Sequence, residues 1–141
     1  FELIEHLHNP FEFMTAVKNI LSPNGILYLH TPNANGMDNK ALGYNDFRPL
    51  AHGIFPPMHL QAFTPENIVH FSIRCGLNVV DIETPGNFDV DMVKRFISRS
   101  SSADSTFHNI RFFDDSQLAI IQDWLRELNC SSHLQVVLSK D

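Results

Sequence analysis

Apolar residues recur at helical spacing at Phe13, Met14, Val17, Ile20 and Leu21, which predicts a helix with one buried face. Its start is marked just upstream. Asn9 can cap, Pro10 suits the first helical position, and Glu12 sits three residues after the cap. Ser22-Pro23-Asn24-Gly25 forces a turn, and the unbroken apolar run 26–29 predicts a strand covered on both faces, as in a parallel sheet. The alternation then resumes after residue 62. Thr64 and Pro65 open a second helix with Ile68, Val69, Phe71 and Ser72 inward and Gly76 at its end, and 77–83 reads as a second strand. Asp89 begins a third, shorter helix with Val90, Val93, Phe96 and Ile97 on one face, followed by a polar loop over 98–105. A fourth helix is predicted over about 116–128, with Leu118, Ile121, Trp124, Leu125 and Leu128 inward. The stretch 133–139 alternates at Leu134, Val136 and Leu138 as a strand does.

Helices alternating with strands make an α/β protein. Three strands are few for such a sheet, and 26–29 is apolar enough to want neighbours on both sides. A further strand is therefore expected in front of Phe1. Between the first and second helical units, 30–62 holds four prolines and three glycines among many Asn residues, too irregular for a regular element and too long for a plain connector. A loop of this kind usually carries function.

Composition narrows the partners. With 141 residues, 43% of them hydrophobic, the chain can bury the core of one domain. A net charge of -6 without any Lys/Arg cluster argues against nucleic acid as a partner. Cys75 and Cys130 form no CxxC pair, which points away from a disulfide framework or thiolate zinc site and toward a reducing, cytoplasmic setting. No apolar run approaches the roughly 20 residues that cross a bilayer.

Three motifs in order carry a resemblance: E-x-x-E-H-L-x-N-P over 2–10, L-S-P-N-G-I-L-Y-L-H-T-P-N over 21–33, and H-L-Q-A-F-T-P-E-N over 59–67 followed by R-C-G-L. They resemble the C-terminal half of class I S-adenosylmethionine-dependent methyltransferases, in the ubiquinone-type branch of type 11, 12 and 23 methyltransferase domains. The resemblance extends from Phe1 to about Glu83. It implies the C-terminal part of a Rossmann-like sheet, about three strands with an antiparallel final strand and helices on both faces. It also implies S-adenosylmethionine as cofactor and a hydroxyl or amine of a small molecule, such as a sugar, lipid or quinone-like compound, as methyl acceptor. The six glycines are too widely spaced to form the G-x-G-x-x-G turn that cradles a nucleotide. The chain is therefore expected to be a fragment, inactive alone, whose cofactor cradle lies in sequence upstream of Phe1.

By the same resemblance Phe1, Glu2 and Leu3 fall near the cofactor and His6 near the transferring methyl. The residues themselves say that Glu5, His6 and His8 cluster before a helix N-terminus, where the dipole favours a carboxylate. A neutral His is the natural base near pH 7, which makes His6 the first catalytic candidate and His30, ending the strand, the second. Asn33 is placed at the acceptor pocket, and Tyr44, Arg48, His52 and His59 in an acceptor-recognition or lid segment walled by Phe47 and Phe55. Eight histidines raise a metal shell from Glu5, His6, His8 and the His52/His59 pair, but there is no HExxH and no paired Cys, so no metal is expected. The alternative to an enzyme is a non-catalytic module that forms a homodimer or pairs with a partner through its open sheet edge.

Overall fold

The computed structural model describes residues 2–42, 56–87, 89–98 and 105–140. A short 3-10 turn at Ile4–His6 leads into α1 (Pro10–Ile20), whose N-terminus is held by the Asn9 side chain accepting from the Glu12 N–H at 3.2 Å. Leu21 ends the helix and Asn24, in the left-handed region, turns the chain into β1 (Ile26–Pro32). The strand is longer than its apolar run. It continues through His30, Thr31 and Pro32, and its burial alternates, with Ile26 and Tyr28 exposed and Leu29 and Thr31 buried. β1 pairs antiparallel with the last strand, and at His30 it is also bridged in parallel by Glu2.

A helix, α2 (Met37–Leu42), follows where the sequence reads as irregular loop. α3 (Pro65–Arg74) begins with a reciprocal capping box between Thr64 and Asn67. It ends at Gly76, whose φ of 73° suits a residue without a Cβ. β2 (Asn78–Glu83), α4 (Asp89–Ile97), a 3-10 helix at Ser105–Phe112, α5 (Asp115–Glu127) and β3 (His133–Ser139) complete the chain. Most of the polar loop expected over 98–105 lies outside the described residues.

The sheet order is β1-β3-β2, with β3 in the middle and antiparallel to both neighbours. One face of the sheet is a core. Leu134, Val136 and Leu138 are fully buried there with Leu29, Ile4, Met14, Ile68 and Leu77, so α1 and α3 cover this side. A second cluster gathers Ala41 of α2, Val90, Val93, Phe96 and Ile97 of α4, Ile110, and Leu118 of α5.

α5 is rotated from the expected orientation. Leu118 is buried, and Ile121 and Leu125 pack on that second cluster, but Trp124 and Leu128 are 61% and 70% exposed. Gln122 points inward in their place. Its amide donates to the Gly86 carbonyl, to Asp89 and to the Ser131 hydroxyl, and its oxygen accepts from the Val90 N–H. Residues two apart on a helix lie about 200° apart, so seating Gln122 in this polar knot turns Trp124 to solvent.

Candidate active site

Alternation along the sheet sends Leu29 and Thr31 to the core and Tyr28 and His30 to the opposite face. The antiparallel register sets His30 opposite Gln135 and Pro32 opposite His133. His133, at the start of β3, therefore stands diagonally beside His30, and the two imidazoles stack 5.1 Å apart at 6°. Glu2 meets both. A parallel bridge joins its backbone to His30, and its carboxylate lies 3.7 Å from His30 Nδ1 and 3.2 Å from His133 Nε2. Ser132 Oγ is 2.9 Å from the other nitrogen of His133.

His30, His133 and Ser132 open on a cavity of about 500 Å³ at the carboxyl ends of β1 and β2, walled also by Gln135, Asn87, Asp89 and Met92. Burial lowers the His30 pKa from its ordinary 6.5; the charge of His133 adds to that, while Glu2 acts against it. His30 is thus held neutral near pH 7. A hollow of about 360 Å³ between α4 and α5 adjoins this cavity at Asn87 and has acids and Arg126 in its wall but no histidine.

The expected site residues separate. Glu2 and His30 meet, and His30 lines this cavity. Leu3 is half-exposed beside them, and Phe1 lies outside the described residues, as do Tyr44, Arg48 and His52, with Phe47 and Phe55. Asn33 is placed differently from an acceptor contact. It is fully buried, its amide donates to the Asn129 and Ser131 carbonyls at 3.2 and 2.7 Å, and its side-chain oxygen accepts from the Asn35 N–H. With no free donor or acceptor, the side chain locks the approach to β3.

His6 and His59 lie on the other side of β1. Their rings are 4.5 Å apart, next to Glu5, which is 1% exposed and accepts from the Thr31 hydroxyl at 2.9 Å. Ligand atoms of Glu5, His6 and His59 all fall within 4.8 Å of one another. The spacing argument against any metal-type grouping is therefore revised at this one place, which sequence order conceals because His59 arrives from 53 residues away. His8 is not in the group.

His133 is the residue that sequence reasoning passed over. Its signal was there: a His at the first position of a strand that must pair beside 26–32.

The family model described as a methyltransferase domain matches residues 1–82, more than half of the chain. The chain belongs to this family. No curated protein matches it. Among solved structures, a cyclopropane synthase, MmaA2 from Mycobacterium tuberculosis, is similar over 99% of this chain and 53% of its own, with a TM-score of 0.51 and 16% identity. That likeness shows a shared Rossmann-like fold, and this methyltransferase domain spans about half the length of that structure. The antiparallel strand lodged between β1 and β2 agrees with the final strand expected of the class I fold. The residues present do not fit the cradle of a cofactor pocket, since no glycine-rich G-x-G-x-x-G turn occurs among the 141 residues.

Proposed function

We propose that this chain is the acceptor-facing part of an S-adenosylmethionine-dependent methyltransferase acting on a hydroxyl or amine of a small molecule, such as a sugar, lipid or quinone-like compound. One observation carries the reading: His30, backed by Glu2 and His133, faces a cavity of mixed polar and apolar lining at the carboxyl ends of the strands. Ligands of open α/β sheets bind at that end. When bound, S-adenosylmethionine supplies an electrophilic methyl on a sulfonium; Glu2 and Leu3 would line its pocket, and the cradle would come from residues before Phe1.

The chain's own part is to position the acceptor and take its proton. Asn87 and Gln135 offer donors and acceptors along the cavity wall. His30, uncharged and partly desolvated, accepts a proton as the acceptor oxygen or nitrogen is alkylated. Glu2 lowers the energy of the resulting imidazolium, and His133 fixes the Glu2 carboxylate. His6 is set aside in this reading because it lies on the other side of β1, beside Glu5 and His59.

The test is calorimetric titration of S-adenosylhomocysteine into the full-length protein, with the 141-residue chain run beside it. Binding at about micromolar affinity by the former alone supports the reading. His30→Ala in the full-length enzyme is then expected to lower turnover by about a hundredfold or more. Silence from a well-folded full-length protein would overturn it. It would favour instead a non-catalytic module that pairs through β1, where Ile26 and Tyr28 are exposed.

A further inference from the structure

We infer that Glu5, His6 and His59 form a binding site for a first-row divalent cation, on the side of β1 away from His30. The inference does not depend on methyl transfer.

Glu5 sits in a sealed position with only part of its charge answered. Oε2 accepts from Thr31, but Oε1 is buried with no partner among the described residues. The nearest basic atom is His6 Nε2, at 3.8 Å. That distance exceeds a hydrogen bond. His6 Nδ1 lies 2.5 Å from the Met58 carbonyl, an atom that can only accept, so Nδ1 carries a proton and a neutral His6 turns a bare Nε2 toward Glu5. Two lone-pair atoms then face each other, one sealed on Glu5 and the other on the partly exposed His6 ring. The third member repeats the pattern, because His59 Nδ1 is sealed from solvent and has no partner either.

A cation resolves all three at once. A buried, half-paired carboxylate is unfavourable by several kcal/mol in general, and positive charge between the groups removes that penalty. The histidine arrangement is the one metal ligands use: the nitrogen away from the ion donates to a backbone carbonyl, which fixes the tautomer and aims the ring. The frame is also fixed. Leu60 and Gln61 N–H groups both donate to the Glu5 carbonyl, at 2.7 and 3.0 Å, which pins the His59 segment against the 3-10 turn bearing Glu5 and His6. Ligand atoms around a tetrahedral zinc ion with bonds of about 2.0–2.2 Å lie about 3.4 Å apart. The Glu5–His6 spacing is close to that, and the widest spacing of 4.8 Å closes with a movement of about 1 Å. Two imidazoles and one carboxylate leave at least one coordination position open, which suits zinc, cobalt or iron and disfavours calcium.

The test is a titration of Co2+ into metal-free, full-length protein, read by visible absorption, with Zn2+ as competitor. One Co2+ per chain with the d–d bands of a four- or five-coordinate nitrogen and oxygen site is expected. His59→Gln and Glu5→Gln should each weaken it by about tenfold or more, and His8→Gln should leave it unchanged. Circular dichroism of each variant separates lost binding from lost folding, and the His59 change, on a partly exposed residue, is the one expected to fold normally. No Co2+ binding by the folded protein, or equal binding by His59→Gln, would overturn the inference. So would NMR showing His6 as an imidazolium paired with Glu5 in the presence of excess metal. S-adenosylhomocysteine binding, measured separately, tells whether the methyltransferase reading fails with it.

Discussion

Asn33 shows how a polar side chain can look like a ligand contact and work as a fastener. It follows β1 directly, which makes it a reasonable acceptor residue by position alone, yet its amide closes the Asn129 and Ser131 carbonyls over the start of β3. Asn33→Ala would strand those carbonyls and the Asn35 N–H, and is expected to lower stability by about 2–3 kcal/mol in urea denaturation. His30 yields a pH-dependent counterpart. Its folded-state pKa lies below 6.5, so between that lowered value and 6.5 the unfolded chain binds more protons than the folded one. The contribution of His30 is whole above about pH 6.5 and is lost as the pH falls through that window. Urea midpoints measured from about pH 7.5 down to about pH 5.5 should therefore fall less for His30→Gln than for the unaltered protein. His30 was visible in the sequence because a strand ended on it; Glu2 and His133 as its partners were not, since they meet only through a bridge and a register spanning the chain.

Elements were most legible where local chemistry alone decides them. Asn9-Pro10, Thr64-Pro65 with Asn67, and Gly76 set helix ends by hydrogen bonds within a few residues, and these ends stand where they were expected. The inner residues of α4 and the buried alternation of β3 were equally readable. Orientation was less so. An apolar stripe on 116–128 points Trp124 inward, but Gln122 has four partners awaiting it, and no periodicity can report them. α2 was hidden for the same reason, since Met37 begins it by donating to the Cys130 carbonyl, a contact from the far end of the chain. The rotation of α5 has a direct check. Trp124→Gln should shift stability by no more than about 0.5 kcal/mol, whereas Leu118→Ala should lower it by about 3 kcal/mol; a large loss from Trp124→Gln would show that the helix presents its other face to the core.

At the scale of the molecule, two apolar clusters must act together for His30 and the cavity wall to face one another. Asp89 sits where they join. It is 1% exposed at the start of α4, and accepts from Ser131 Oγ, the Gln122 amide and the Ser132 N–H, tying α4 and α5 to the entry of β3. Asp89→Ala is expected to lower stability by about 3 kcal/mol, with hydrogen exchange accelerating in α4 and α5 before it does in the sheet. Among the described residues, no helix is long and apolar enough to cross a membrane.

The central place of β3 also orders events in time. Within the three-stranded sheet β1 and β2 do not pair with each other; they are joined by a strand that begins at His133, about 50 residues after Glu83. A ribosome adds roughly 5–20 residues per second, so for about 2.5–10 s the nascent chain carries β1 and β2 without the strand that joins them. The join between β1 and β2 therefore closes late, when the last strand slots between them.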